Sequence, residues 1–278
     1  MLKDVEERLG VDLNDKTTWK QWRINLKPNR WVQASEFAPK AWEAICELSD
    51  GEQRLDPEGC FWSNGFIVNL GDSAYEGKPS SLEGLDQFHT DGHPEQGIFC
   101  VPLWTDIVPG GGPTALCSGT VGTVAKWLFD HPDGTNPDLL PRGHPRLNDP
   151  NGTNLDWSNQ VARANGRFDL GTGKVGDVFL LHPFLIHSPT RNEKKLFRAI
   201  TNSKTSLKDP NLLHRADGNY SILEQTIRSG LIGVTEEGLM NWHITAPREP
   251  FQPGLVGRIV PTKADVTPLD KFGVPAVV

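Results

Sequence analysis

Apolar positions along the chain change their spacing near residue 60. In "SEFAPKAWEAICELSDG" the residues Ala41, Trp42, Ile45 and Leu48 recur with a period near 3.6, Pro39 suits a first helical turn and Gly51 can end the helix. The spacing predicts a helix packed on something flat. The opening "MLKDVEERLGVDL" is amphipathic over a turn or two, so residues 1 to about 55 read as a helical part. From Cys60 the apolar runs become short and are broken by Gly, Pro and Asp: "CFWSNGFIVNLG", "GIFCVPLWTDIVPGGG", "TALC", "GDVFLLHPFLIHS" and "KLFRAITNS". Runs of this length, rich in Phe, Val, Ile and Leu and bounded by turn residues, read as strands.

One helix interrupts them, "SGTVGTVAKWLFDHPDG", with Ser118 as its N-cap and Pro132 beyond its end. The next stretch, "HPDGTNPDLLPRGHPRLNDPNGTN", is so rich in Pro, Asn, Asp and Gly that it reads as irregular. Long loops inside domains are usually functional, which makes residues 131–157 a candidate lid or rim. A short helix near "YSILEQTIRSGL" and a Pro- and Val-rich tail from about Ala246 complete the chain. Without repeats or linkers, one domain is expected: a helical part, a β core over about 60–205, and a C-terminal helix and tail over 206–278. Many short strands without βαβ alternation predict a mainly β fold with flanking helices, an antiparallel sandwich or barrel.

Composition narrows the function. The chain has 278 residues with 28 Gly and 22 Pro, more turn-forming residues than a helical bundle carries and enough length to bury a core without staples. Its start lacks the basic and apolar regions of a signal peptide, and no run approaches membrane-spanning length, so a soluble cytoplasmic protein is expected, with no membrane partner. Against 35 acidic residues stand 28 dispersed basic ones, a net charge of −7 that gives nucleic acid no electrostatic footprint. Cys46, Cys60, Cys100 and Cys117 lie scattered in apolar runs without a CxxC pair and read as reduced core residues.

Candidate chemistry sits in "DQFHTDGHPEQG". On an extended strand, residues two apart share a face, so His89 and Asp91 can present an imidazole and a carboxylate to one point. That is half of a metal site. An iron(II) site with open positions takes two histidines and one carboxylate on one face of the metal. A second HxD, "HPD" at His131 to Asp133, has Pro at its centre and Gly after it, which describes a turn. Downstream, "GDVFLLHPFLIHSPTRNEKKLFRAITNS" reads as a strand ending near His187, a turn through Arg191 to Lys194 and a strand from Leu196. Such a hairpin returns Arg198 beside His187. An arginine there can form a bidentate pair with a carboxylate close to the metal, as a dicarboxylate cosubstrate requires.

"HTD", "HPFLIHS" and an arginine eleven residues after the last histidine together resemble the iron(II)- and 2-oxoglutarate-dependent oxygenases, in their phytanoyl-CoA dioxygenase-like branch. The resemblance covers roughly Cys60 to Lys204. It implies a double-stranded β-helix (jelly roll, cupin-like) with His89, Asp91 and His187 as catalytic Fe(II) ligands, Arg198 on the distal carboxylate of 2-oxoglutarate, and O2 as the oxidant. It also implies that Gln87 faces the cosubstrate and that the Thr114 hydroxyl reaches its carboxylate; the alternatives are a surface glutamine beside a strand and a strand hydroxyl after a glycine turn. Trp104 is either a pocket residue or, with nine tryptophans in the chain, more simply core. Some members place a serine two residues after the last ligand; this chain has Pro189, flanked by Ser188 and Thr190. "CSGTVG" stands where the branch writes a "PGSH" histidine. His182 falls on the opposite strand face from His187 and reads as packed, while Asp86 and His93 read as turn residues.

The implied activity is oxidation of an unactivated C–H bond of a small molecule by hydroxylation, desaturation or oxidative cyclisation. The substrate would be an amino-acid derivative or a secondary-metabolite intermediate. Asp91 disfavours halogenation, and the lack of a basic cluster disfavours a coenzyme A thioester. The alternatives are a cupin-like metalloenzyme without 2-oxoglutarate, which has no use for Arg198, and a non-catalytic jelly-roll binding module, which leaves the His187 to Arg198 spacing to coincidence. A homodimer is compatible with the sequence.

Overall fold

The computed structural model describes residues 2–92, 96–146 and 154–247. His93, the segment 147–153 inside the candidate lid and the tail beyond Pro247 lie outside the described residues.

The N-terminal part departs from the expected all-helical reading. Helix α1 (Leu2–Leu9) is followed by strands β1 (Arg23–Asn25) and β2 (Trp31–Gln33), then by helices α2 (Ala34–Phe37) and α3 (Pro39–Leu48) and strand β3 (Leu55–Asp56). Strands of three residues are too short to show a period of two, and the partners of β1 and β2 lie 28 to 46 residues downstream. The rest of the chain runs through β4 (Phe61–Ser63), β5 (Phe66–Asn69), β6 (Gln96–Pro102), β7 (Thr114–Cys117), α4 (Val121–Asp130), α5 (Asp156–Asn165), β8 (Phe168–Gly171), β9 (Val178–Leu181), β10 (His187–Pro189), β11 (Arg198–Thr201), β12 (Ser203–Leu207), α6 (Ile222–Gly230) and α7 (Glu236–Asn241).

The strands form four sheets, in the orders β3-β12-β6-β9, β10-β7-β8, β1-β5-β11 and β2-β4. Every pairing between them is antiparallel. The fold is therefore mainly β, in several antiparallel sheets with helices against them. Among the described residues no helix is long and apolar enough to cross a membrane.

Strand β6 is buried along its whole length, and its alternation feeds two cores. Phe99 and Val101 join Leu103, Leu181 and Ile200 in an interior shared by three sheets. Ile98 and Cys100 face the other way, into a cluster with Trp42 and Ile45 of α3. The helix predicted from its 3.6-residue period thus packs on the outer face of a sheet. Helices α4 and α6 touch at Gly122 and Gly230, where a Cβ on Gly230 would lie 2.3 Å from the Gly122 Cα, so only glycine allows the approach. All four cysteines are free thiols, three of them buried. Burial pushes the Cys60 thiol up to about 11 and Cys100 higher still, so neither ionises near neutrality.

Three local expectations are corrected. Helix α4 begins after Thr120, whose hydroxyl donates to the Cys117 carbonyl (2.8 Å); Ser118 instead donates to Asp169. Helix α5 occupies the end of the stretch read as loop and closes on Gly166 in the left-handed region (φ 62°). Its fully buried residues are Ser158, Asn159 and Ala162, and Trp157 and Val161 pack beside Ala162 against the same core as Phe88, a short apolar face in an otherwise polar run. Finally, the segment read as one strand up to His187 breaks at His182–Ile186, where Pro183 cannot donate a ladder bond. β9 pairs with β6 and β10 with β7, while β11 pairs with β5, so β10 and β11 form no hairpin.

Candidate metal centre

His89 and His187 meet because their backbones pair. The His89 amide donates to the His187 carbonyl at 3.0 Å and the His187 amide to the His89 carbonyl at 2.9 Å. Residues that exchange both bonds stand directly opposite and share a face. Their neighbours settle which face it is. Phe88 and Ile186, fully buried, enter one apolar cluster with Ala115, Cys117 and Ala162, which turns both imidazoles to the other side. From below, Asn159 of α5 clamps the segment: its amide donates to the Asp86 carbonyl (2.9 Å) and its oxygen accepts from the Phe88 amide (3.1 Å).

The ring orientations follow from backbone acceptors. Nδ1 of His89 bonds the Gln87 carbonyl at 2.7 Å, and Nδ1 of His187 bonds the Leu185 carbonyl at 3.0 Å. A carbonyl can only accept, so each Nδ1 carries the proton and each Nε2 keeps its lone pair for a metal. The His187 Nε2 lies 3.4 Å from the Asp91 carboxylate, and the two ring centroids are 4.5 Å apart. One donor atom from each of His89, Asp91 and His187 lies within 4.8 Å of the others, with His187 buried and the other two partly accessible. Asn202 donates to Asp91 (3.4 Å), and Phe99 stacks on His187 with centroids 5.4 Å apart.

Charge in this group is unevenly met. Burial, the neighbouring His187 and the more distant Arg23 push the His89 imidazole below its ordinary range, against the pull of Asp91. Burial acts the same way on His187, but the Asp91 carboxylate and the Leu185 carbonyl outweigh it and leave that imidazole raised. Such a trio can bind a divalent cation through two imidazole nitrogens and one carboxylate while leaving other metal positions open.

Arg198 reaches the centre from a different sheet. It lies 5% exposed on β11, and its Nη2 donates to the Thr114 hydroxyl of β7 at 3.2 Å. Thr114 pairs with Pro189 and Leu116 with His187, so the guanidinium enters beside the histidine strand. Its Nε has no partner, and Arg198 forms no ion pair among the described residues. Burial, then the charge of Arg23, lowers its value to about 10, still cationic at neutral pH. The loop before it is locked by Asn192, whose amide donates to the Asn69 carbonyl (3.0 Å) and the Leu196 carbonyl (2.6 Å).

The remaining residues named from the sequence separate cleanly. The Gln87 side chain is exposed and accepts from Arg23 (3.3 Å), while its carbonyl orients His89. Ser188 and Thr190 spend their hydroxyls on the carbonyls of Pro189 and Pro113, leaving Thr114 as the hydroxyl on Arg198. Trp104 packs in the core with Phe66 and donates to Thr201 (3.1 Å). His131 folds onto Trp127 in a turn, with Gly134 donating to the His131 carbonyl. Asp86 is exposed. Sequence reasoning missed Arg23, Asn159 and Asn202. Only Asn202 carries a signal, lying an even number of residues after Arg198 on the same run; the other two arrive through contacts with distant segments.

No protein-family model and no curated protein matches the chain.

Proposed function

We propose that the chain is an Fe(II)- and 2-oxoglutarate-dependent oxygenase that oxidises an unactivated C–H bond of a small molecule, on a double-stranded β-helix. The observation that carries this reading is the Arg198 guanidinium, buried with one neutral hydroxyl partner and an unpartnered Nε, beside the His89, Asp91 and His187 trio. A buried cation without an anion is costly, by several kcal/mol on the order of the penalty for an uncompensated buried charge. A carboxylate resting on Arg198 and Thr114 would remove that cost. A metal at the trio together with a carboxylate at Arg198 describes the two ends of a chelating dicarboxylate. A cupin-like enzyme that binds metal alone leaves the guanidinium unexplained. The strand pairing, with two histidines from segments about a hundred residues apart opposed across β10, supports the β-helix reading.

The residues divide the work. His89, Asp91 and His187 would hold iron(II), with the Gln87 and Leu185 carbonyls fixing the two tautomers. Arg198 and Thr114 would bind the distal carboxylate of 2-oxoglutarate. Leu103, Leu116, Phe179 and Ile200 line the adjoining internal cavity with Thr114 and keep it apolar, which excludes water and strengthens the Arg198 contact. The bound metal and cosubstrate supply the chemistry: O2 is consumed with oxidative decarboxylation of 2-oxoglutarate to succinate and carbon dioxide, coupled to oxidation of the substrate. An amino-acid derivative or another small metabolite is the substrate class in keeping with the sequence's lack of a basic cluster.

The test is anaerobic addition of iron(II) and 2-oxoglutarate to the protein, followed by visible absorption of their chelate. A weak charge-transfer band is expected, lost in Asp91→Ala and displaced to much higher 2-oxoglutarate concentration in Arg198→Met. Absence of the band in the wild type removes the oxygenase reading; a band indifferent to Arg198→Met removes that residue's role.

A further inference from the structure

Beyond Arg198, a second guanidinium enters the same region without an acid. Arg23 on β1 and Arg198 on β11 both pair in register with Asn69 of the central strand β5. Directly paired residues share a sheet face, so the two arginines flank Asn69 on one side of the sheet, two strand spacings or about 10 Å apart along the backbone. Arg23 is partly buried and forms no ion pair among the described residues. Its side chain's only hydrogen bond among the described residues is from Nη1 to the neutral Gln87 side chain (3.3 Å), whose backbone carbonyl holds His89. The Asn69 amide between them is committed to the Thr190 carbonyl (3.5 Å), and its oxygen to the Gly71 amide (3.0 Å). Among the described residues, nothing on the row neutralises either cation.

Two cations side by side repel, and Arg198 is held below its ordinary value by burial first and by Arg23 second. A structural role would place an acid beside Arg23, as Glu224 stands beside Arg54 and Arg215 elsewhere in the molecule. One of the two anion sites is used by the cosubstrate, whose distal carboxylate belongs to Arg198 and whose other end belongs at the metal trio. Arg23, at the accessible rim next to Gln87, is left for a different anion.

We propose that Arg23, with Gln87 beside it, is the recognition site for a carboxylate of the substrate, so that the enzyme oxidises a small carboxylic acid. The inference rests on the oxygenase reading for the assignment of Arg198 to the cosubstrate. A single planar guanidinium with one neighbouring amide suits a bidentate carboxylate, whereas a phosphoester would call for several converging cations.

The test holds the protein without oxygen in the presence of iron(II) and 2-oxoglutarate, and measures its melting temperature with a panel of small carboxylic acids and their matching methyl esters. Acids are expected to raise the melting temperature and esters to leave it unchanged. Arg23→Gln should weaken the acids' apparent affinity at least about tenfold, and Arg23→Lys should restore part of it. In Arg23→Gln the visible chelate band should persist at the wild-type 2-oxoglutarate concentration. Esters acting as well as acids, no acid acting on the wild type, or an undiminished response in Arg23→Gln overturns the proposal. Loss of the chelate band in Arg23→Gln also overturns it, by assigning Arg23 to the cosubstrate while leaving the oxygenase reading intact. A wild type without any band fails the oxygenase reading itself.

Discussion

Two polar clusters lie inside this protein, and they are finished to different degrees. Under α6, Glu224 is 1% exposed and accepts from Arg54 Nη1 (3.0 Å), Arg215 Nε (2.9 Å) and Nη2 (2.6 Å), and the Leu212 (2.8 Å) and Ser221 (3.0 Å) amides. Burial alone would raise its value, but these partners outweigh it and hold the carboxyl below its ordinary range. His182, beside the same helix, has both ring nitrogens engaged, with the Phe184 amide and the Leu223 carbonyl. Between the sheets, by contrast, His89 and His187 each leave Nε2 uncommitted to backbone, and Arg198 leaves Nε bare. A cluster closed on itself joins helices to sheet. A cluster left open has ligating atoms to spare, and that difference separates a staple from a candidate site.

The largest expected consequence of this contrast is in stability. Glu224→Ala removes the carboxylate that Arg215 pairs with and one of the two that Arg54 pairs with, leaving Arg54 only Asp50 (2.6 Å), and should cost about 4 kcal/mol by chemical denaturation; a loss near zero would mean that solvent, not Glu224, neutralises Arg215. Next comes pH. Folding holds His182 neutral, with burial lowering its value to about 4 from 6.5, so the unfolded chain takes up that proton first as pH falls. Its contribution is complete above pH 6.5 and is lost as pH drops toward 4, up to about 3 kcal/mol, with the stability difference between wild type and His182→Gln narrowing over that window. A constant difference between the two across that range would refute a neutral, packed His182.

The open cluster answers to ligands instead. Anaerobic iron(II) at about a hundred times its Kd should stabilise the wild type by about 2.7 kcal/mol. Asp91→Ala and His187→Ala should lose that shift, and His131→Ala should keep it; equal shifts in all four proteins would place the metal elsewhere. The smallest effect is the most diagnostic. Arg198→Met removes an unpaired buried charge, so it should raise the stability of the ligand-free protein by about 1 kcal/mol while moving its response to much higher 2-oxoglutarate concentration. Destabilisation comparable to that of Glu224→Ala would show that Arg198 is a staple after all.

The ends of this comparison were unequally legible. His89 and Asp91 are separated by one residue, and His187 and Arg198 by a spacing readable along the chain, so all four could be named without knowing any partner strand. The route by which Arg198 arrives was misread: a hairpin was expected, whereas β10 and β11 belong to different sheets and Arg198 crosses between them to Thr114. Asn159 stayed invisible because a polar residue buried beside the short apolar face of Trp157, Val161 and Ala162 is indistinguishable in sequence from a solvent-facing one. Arg23 was hidden inside a segment read as helical, since a strand of three residues announces itself only by its pairing.

By itself the sequence determined which residues are candidates for the site and that the fold is mainly β, because side-chain alternation on strands, helical period and turn chemistry act over a few residues and can be read locally. Which strands pair, and therefore which side chains face one another, was decided only by tertiary structure. The pairing of β1 with β5, of His89 with His187 and of Thr114 with Arg198 depends on the register of segments between 44 and 98 residues apart. No local preference specifies that register, and it is set by burying the alternate faces of those strands in common cores. The imidazoles and guanidiniums are placed by what their apolar neighbours Phe88, Ile186 and Ala199 bury on the other side.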